Sequence, residues 1–540
     1  MNHLNDIDVI VLGLGESGLA MVRWCVRHGA RVRVWDSRDA APNDAVLAEQ
    51  LPQVQRLRGE LADEAFAGVR LVLKSPGLAP SDARIAAPLQ RVADTGVLVQ
   101  GELELFARAL ADLKAQQGYA PKVLAITGTN GKTTTTAMTA LLVERAGRRV
   151  AMAGNIGPTM LQSLADALDR TAAAAEDEPQ PLPEKDRKDL LPEVWVLELS
   201  SFQLDEAKGF EPDAATVLNL TEDHLDWHGS MENYAAAKAR VWGREAVMVV
   251  NRDDPRVEAL ARSVQPADIP VKGTVRARAP KPAERQIVRF GLDAPQCPGD
   301  FGLVSENGMA WLVRAQEADE TRKRSTRRAA AVEAEPEELF IQRLIPADAL
   351  RIRGRHNAVN ALAALALAQA AGCALGPMLY GLRDYRGEPH RVESVALIDG
   401  VEYFDDSKGT NVGATVAAIS GLGAERRVVV ILGGLGKGQD FSPLAAPVAR
   451  HARAVVLIGR DAPQIRAALE ATGVPLLGAG ALDEAVEVAA QRAAAGDAVL
   501  LSPACSSFDM FDSYVQRGEM FCAIVRERAL DAGQTLEGGR

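Results

Sequence analysis

The stretch Gly128-Thr129-Asn130-Gly131-Lys132-Thr133-Thr134 brings together the residue types that hold a polyphosphate. Gly128 and Gly131 let backbone N–H groups close around phosphate oxygens, Lys132 reaches the terminal phosphates, and the Thr133 hydroxyl can ligate Mg²⁺. The common G-x-x-x-x-G-K-[ST] pattern would begin with glycine at position 126. Ile126 stands there, which leaves the shorter Gly128-x-x-Gly131-Lys132-Thr133 loop. The elements around it suit the chemistry: Val123-Leu-Ala-Ile126 reads as a buried strand, and Thr133 to Val143 as a helix whose N-terminus adds partial positive charge. The alternative is a Gly-rich turn with a surface lysine, and the hydroxyl-rich helix start argues against it.

A second constellation, Gly13-x-Gly15-x-x-Gly18, follows the apolar run Asp8–Leu12 and opens an amphipathic helix reaching about His28. Val32-Arg-Val-Trp-Asp36 is a further strand ending in an acid. This is a dinucleotide-type fingerprint: the glycines admit a pyrophosphate to the helix N-terminus, and Asp36 is placed for ribose or base. UDP-sugars carry the same pyrophosphate, and nothing downstream resembles a hydride-transfer site. Leu71-Val-Leu-Lys-Ser-Pro-Gly77 brings Ser75, Pro76 and Gly77 to the same carboxyl edge, where each could also be simple turn chemistry.

Further along, strand after strand ends in polar residues. Val150–Gly154 ends beside Asn155, either a ligand contact or a helix cap. Val194-Trp-Val-Leu-Glu198 buries a carboxylate, which requires a partner or a metal, and Mg²⁺ suits a site near the phosphate loop. His224 ends another strand; because Mg²⁺ prefers oxygen, the residue alone reads as a hydrogen-bonding turn histidine. Ser230 can cap the helix Met231 to Trp242, on which Lys238 alone reads as a solvated lysine. Asp406, Lys408, Thr410 and Asn411 share one loop, Lys437 lies on a Gly-rich turn, and Ser502 to Ser507 follow a last strand. For any one of these, turn and surface roles are equally open.

With 540 residues and 47% hydrophobic content the chain can build about three domains, each with its own core. The pattern predicts an α/β protein: residues 1–101 Rossmann-like, 102–387 a central P-loop-type parallel sheet, and 388–540 a second Rossmann-like unit. Charged insertions near 171–193 and 314–338 are too polar to pack. A net charge of −11 with dispersed Arg and Lys argues against a nucleic-acid surface. No run approaches a membrane span and no basic leader is visible, so a cytoplasmic location is expected; a monomer is the expected state, though the sequence does not fix it. Five cysteines without a C-x-x-C pair read as small buried hydrophobes.

Thr127-Gly-Thr-Asn-Gly-Lys-Thr133, Glu198-Leu-Ser-Ser-Phe-Gln203, Asn219-Leu-Thr-Glu-Asp-His224 and Tyr234-Ala-Ala-Ala-Lys238, in this order, resemble the ATP-dependent Mur ligases of peptidoglycan synthesis. The resemblance implies that Gly128, Thr129, Asn130, Gly131, Lys132, Thr133, Thr134, Asn360, Arg391 and Asp406 bind ATP. It implies that Thr133, Glu198 and His224 ligate Mg²⁺, and that Lys238 carries a carbamate that supplies the anionic oxygen a plain lysine lacks. Lys132, Lys238, His224 and Glu198 are then the catalytic set.

Within that family, Gly13 to Gly18, Ser75 to Gly77, Asp406 to Asn411 and Ser502 to Ser507 resemble the branch adding D-glutamate to UDP-N-acetylmuramoyl-L-alanine. The resemblance assigns Gly15, Glu16, Ser17, Asp36, Ser75, Pro76, Gly77, Asn155, Ser200 and Gln203 to the UDP substrate. It assigns Lys408, Thr410, Lys437, Ser507, Phe508 and Tyr514 to D-glutamate. Leu and Phe often occupy the last two positions in that branch, and a polar residue often stands where Leu435 precedes the lysine. ATP would phosphorylate the alanyl carboxylate, the amine of D-glutamate would attack the acyl phosphate, and His390 or His224 would accept the proton. Other amino-acid-adding members, a folylpolyglutamate synthase, a nicotinamide-dependent oxidoreductase and a nucleotide-sensing binding module remain as alternatives.

Overall fold

The computed structural model describes residues 3–176, 188–264, 285–317, 339–352, 354–424 and 426–534. The first sheet contains β1 (Asp8–Leu12), β2 (Arg31–Trp35), β3 (Gln55–Leu57), β4 (Leu71–Lys74) and β5 (Leu98–Gln100), all parallel in the order β3-β2-β1-β4-β5. Its glycine turn is sterically required. A Cβ on Gly18 would lie 1.9 Å from the Gly13 carbonyl oxygen, so only glycine lets the helix Glu16–Arg27 start this close to the end of β1.

The central sheet orders β6 (Lys122–Thr127), β7 (Val150–Gly154), β8 (Val194–Glu198), β9 (Ala214–Val217), β10 (Val247–Asn251) and β11 (Ile287–Phe290) as β11-β10-β9-β6-β8-β7. All its pairings are parallel, and helices on both faces explain why β6 and β8 read as unbroken apolar runs. Alternation sorts the side chains: Leu124 and Ile126 pack with the helices Lys132–Arg145 and Arg355–Ala370, whereas Val123 and Ala125 face the opposite way. On that opposite face, Trp195 and Leu197 belong to one apolar cluster with Val9, Val11 and Trp24 of the first sheet's domain. The N-terminal and central domains therefore share a core.

A small antiparallel sheet, β12 (Phe301–Glu306), β13 (Met309–Glu317) and β14 (Leu339–Pro346), was not anticipated. β13 extends into the expected insertion as far as Glu317. Regular structure resumes at Leu339, where β14 directly abuts the charged tract and is mostly only half-buried. The helix Met160–Glu176 likewise enters the other insertion. The remaining stretches, 177–187 and 318–338, lie outside the described residues.

The last sheet runs β15-β16-β20-β17-β18-β19, from β15 (Glu393–Ile398), β16 (Val401–Asp405), β17 (Val428–Gly433), β18 (Ala452–Ile458), β19 (Leu476–Gly478) and β20 (Ala498–Leu501). Only β15 is antiparallel. Its two apolar clusters include no residue of the central domain. Cys25, Cys373, Cys505 and Cys522 are buried as expected, but Cys297 is exposed. Among the described residues no helix is long and apolar enough to cross a membrane.

Candidate active site

Gly131 caps the helix Lys132–Arg145 at φ +82°, and any Cβ there would lie 2.7 Å from the Asn360 amide oxygen. The loop before it is held rigidly. Asn130 N–H donates to Asn219 Oδ1 at 2.8 Å, Asn219 Nδ2 donates to the Asn130 carbonyl at 3.0 Å, and Thr129 Oγ1 lies 3.1 Å from the Tyr234 hydroxyl. Lys132 Nζ donates to the Gly128 and Thr129 carbonyls at 3.0 and 2.9 Å.

Directly beside it, Thr133 Oγ1 donates to Glu198 Oε2 at 2.8 Å and Asn155 Nδ2 to Glu198 Oε1 at 2.9 Å. Glu198 is buried, as its place at the end of β8 suggested. Arg391, from the C-terminal side, donates to Thr133 Oγ1. Lys238 corrects the solvated reading: it is 2% exposed and points inward from the helix Met231–Ala239. Its Nζ donates to the Gly128 carbonyl at 2.9 Å and Thr127 Oγ1 at 3.2 Å, and lies 4.7 Å from the Tyr234 ring centroid. Burial, then the neighbouring Lys132 charge, push this amine well below its ordinary range.

Lys132 is also lowered by burial, with Glu198 and Asp223 opposing the shift. His224 occupies a left-handed turn at φ +54°, its ring edge-on to Phe202 at 4.7 Å and its Nε2 3.5 Å from Asp223 Oδ2. Burial lowers its pKa, so near neutral pH the imidazole keeps a lone pair free to donate. A buried carboxylate, a hydroxyl, an imidazole and a buried amine whose charged form burial disfavours fit a divalent cation with a carbamate on Lys238.

A cavity of about 440 Å³ opens between the central and C-terminal domains. Asn130, Gly131, Thr134, Asn360, Arg391, Asp406 and Lys408 line it at the phosphate-loop end, and Asn251, Leu292 and His356 lie farther round its wall. Burial raises the Asp406 carboxyl to about 7, although Ser502 donates to it at 2.6 Å and Arg391 is near. Lys408 lies 3.7 Å from the Tyr514 ring centroid, and burial, then Arg391, lower its amine to about 8. It thus stands between the nucleotide cavity and Tyr514.

The residues assigned to the UDP substrate fall into two groups. Gly15, Glu16, Ser17, Asp36, Ser75, Pro76 and Gly77 gather at the carboxyl edge of β1, β2 and β4. There Ser75 Oγ donates to the Gly13 carbonyl at 3.1 Å and Leu14 N–H to Asp36 Oδ2 at 2.7 Å. The Asp36 carboxylate is also gripped by Arg38 through Nε and Nη2 at 2.8 and 2.7 Å, so it shapes the loop and presents Arg38. Burial raises Asp36, but these hydrogen bonds outweigh it and hold the carboxyl far below the usual range. Asn155, Ser200 and Gln203 lie instead on the central domain: Asn155 at Glu198, and the other two in a mutual capping box.

In the C-terminal domain, Leu435 and Ser506 exchange backbone hydrogen bonds at 2.9 and 3.0 Å, which brings the Lys437 turn beside Ser507. Gln439 joins that turn to Val412 N–H at 3.1 Å, and so to the loop bearing Thr410. Lys437 is exposed at φ +52°, Ser507 is buried, and Phe508 is 67% exposed. Arg517, which no local pattern flags, is 1% exposed and donates to Ser407 Oγ at 3.0 Å, the Ser407 carbonyl at 2.8 Å and the Cys505 carbonyl at 3.2 Å, bracing both loops. His390 Nδ1 bonds Asp405 Oδ2 at 2.6 Å, and that bond raises its pKa.

Comparison with known proteins gives matches along the chain. Residues 7–101 match the Mur ligase MurD-like N-terminal domain, 126–295 the Mur ligase middle domain, and 390–505 the Mur ligase glutamate ligase domain. The chain is 59% identical to the UDP-N-acetylmuramoylalanine–D-glutamate ligase of Albidiferax ferrireducens, covering 100% of this chain and 99% of that one. It is 50% identical to the protein of the same name from a Polaromonas species, covering 99% and 100%. Among solved structures it is similar to the UDP-N-acetylmuramate-alanine ligase MurC of Thermotoga maritima, with a TM-score of 0.52, 17% identity, and 97% and 100% coverage. The MurF ligase of that organism in complex with ADP matches with a TM-score of 0.52, 17% identity, and 97% and 96% coverage. At that identity the structures speak for the fold.

Proposed function

The chain belongs to the Mur ligase family, as an ATP-dependent ligase adding D-glutamate to UDP-N-acetylmuramoyl-L-alanine in peptidoglycan precursor synthesis, and from this premise we propose how its residues divide the reaction. ATP lies in the cavity between the central and C-terminal domains, its phosphates on Gly128 to Thr134 and flanked by Arg391. Lys132 turns from its loop carbonyls to the transferring phosphoryl group, where a fixed positive charge lowers the barrier most. Glu198, Thr133, His224 and a carbamate on Lys238 would hold Mg²⁺, which supplies charge neutralisation there.

The γ-phosphoryl passes to the alanyl carboxylate, releasing ADP and leaving an acyl phosphate. The D-glutamate amine attacks the acyl carbon, phosphate leaves, and the amine gives up a proton. Lys437, Thr410 and Ser507 face the two carboxylates of the incoming amino acid, so that like charges can approach. One chain carries all these sites, so a monomer suffices, and the nucleotide substrates place it in the cytoplasm.

The observation that carries this reading is the Thr133–Glu198–Asn155 array beside the half-buried Lys132 and the buried Lys238, with Lys132 and Thr133 next in the chain to Gly131 and Thr134 of the cavity wall. The test is ADP release by the purified protein. Turnover should require the sugar nucleotide and D-glutamate together, with other amino acids idle; ADP release independent of both would defeat the reading.

A further inference from the structure

Lys74 ends β4 immediately before the Ser75–Gly77 turn, and its side chain is fully buried. Its ammonium donates to the Ser75 carbonyl at 3.4 Å and to the Leu78 carbonyl, so it closes the turn from beneath. It also pairs with Glu206 Oε1 of the central domain at 3.0 Å and lies 5.9 Å from the Trp227 ring centroid. A buried ammonium is costly unless every direction is answered, and here three acceptors and an aromatic face fix its place.

Both central-domain partners belong to segments that start at the proposed metal site. Glu206 caps the short helix Ser201–Asp205, which follows Glu198; Trp227 follows His224 in the helix Leu225–His228. Phe202 links them, its ring 4.8 Å from Trp227 and 4.7 Å from His224. Lys74 is thus where the sugar-nucleotide turn meets the two segments that set the reacting end.

We propose that Lys74 is a positioning residue: by joining the Ser75–Gly77 turn to Glu206 and Trp227, it registers the N-terminal domain against the catalytic segments, so that binding of the uridine end places the alanyl carboxylate. This rests on the reading that uridine diphosphate binds at the N-terminal sheet edge. Remote binding energy speeds chemistry only if the two ends of a long substrate are held in fixed relation. The shared apolar cluster holds the domains together without direction, whereas a buried ion pair aimed at the turn sets their register.

The test compares kcat/KM for UDP-N-acetylmuramoyl-L-alanine with that for the same molecule cut back to an anomeric phosphate. In Lys74→Met and in the shape-preserving Glu206→Gln, the full substrate should lose roughly ten- to hundredfold. The truncated substrate and the KM for ATP should stay unchanged, which a merely structural lesion would not allow. Equal losses on both substrates, or no loss on either, overturn the proposal; if Lys74→Met does not fold, Glu206→Gln decides. Asp36→Asn separates the premise: it should abolish the advantage of the full substrate with Lys74 intact. If that advantage persists, the uridine end binds elsewhere and the proposal falls with its premise.

Discussion

The two domain interfaces are built from different materials. Between the N-terminal and central domains runs one apolar cluster, backed by the Lys74–Glu206 pair and by Arg23 on Gln162 at 3.0 Å. Between the central and C-terminal domains, no apolar cluster crosses among the described residues. That interface relies on polar contacts, such as Asn411 Nδ2 on Asn130 Oδ1 at 3.0 Å and Arg391 on Thr133, around the 440 Å³ cavity. Apolar burial resists opening in proportion to area, whereas half-buried polar contacts can be exchanged for contacts with water at small net cost. On the proposed assignment of sites, the sugar nucleotide would lie on a fixed platform, while ATP and D-glutamate would meet where surfaces can part and close.

The sharpest way to break this contrast is to disable the central site alone. Lys132→Ala should lower turnover by about 10²–10³ or more while leaving sugar-nucleotide affinity in calorimetry unchanged, because it removes a charge acting on the transferring group. Equal loss of both would mean that the two sites are not separate. Lys238→Ala should be comparably damaging, and a small carboxylic acid filling the space should restore part of the activity; near-normal turnover would remove the carbamate from the account.

Lys437→Ala probes the movable side. Losing one charge-assisted hydrogen bond of about 1.5–3 kcal/mol predicts a roughly ten- to hundredfold weaker apparent affinity for D-glutamate. Saturation curves for D-glutamate and ATP should shift separately. A shift only in the ATP curve would assign Lys437 to the nucleotide.

The smallest expected effect is thermal. Asp406 titrates near 7 in the folded protein because it is buried, against about 4 when unfolded. Its native state thus favours the protonated form, and that stabilisation is complete below pH about 4 and lost as pH rises through about 7. The ceiling is roughly 4 kcal/mol, from three pKa units at about 1.4 kcal/mol each. Asp406→Asn should therefore melt higher than the parent at pH 8, by a few degrees, with little difference at pH 4; an unchanged gap across that range would refute the shift.

The edges of the parallel sheets were legible because each strand is an apolar run that stops at a polar residue, as at Glu198, Asp36 and Asp406. Lys238 was not legible from residues alone, since a lysine among alanines on one helix gives no sign of which face is buried; only the resemblance singled it out. Lys74 and Arg517 were invisible for a related reason. Their partners, Glu206 and Ser407, lie far away in sequence, and buried cations are specified by tertiary contacts rather than by local pattern. The β12–β14 sheet escaped because its last strand abuts a charged tract and is only half-buried in most places.

The most direct test is to mix enzyme, ATP and UDP-N-acetylmuramoyl-L-alanine without D-glutamate, quench rapidly, and reduce any acyl phosphate with borohydride. The account predicts the trapped alcohol at similar levels in the parent and in Lys437→Ala, and its absence in Lys132→Ala. Absence of the trapped product in Lys437→Ala, together with an unchanged D-glutamate constant, would contradict it, because the C-terminal turn would then serve phosphoryl transfer rather than capture of the amino acid.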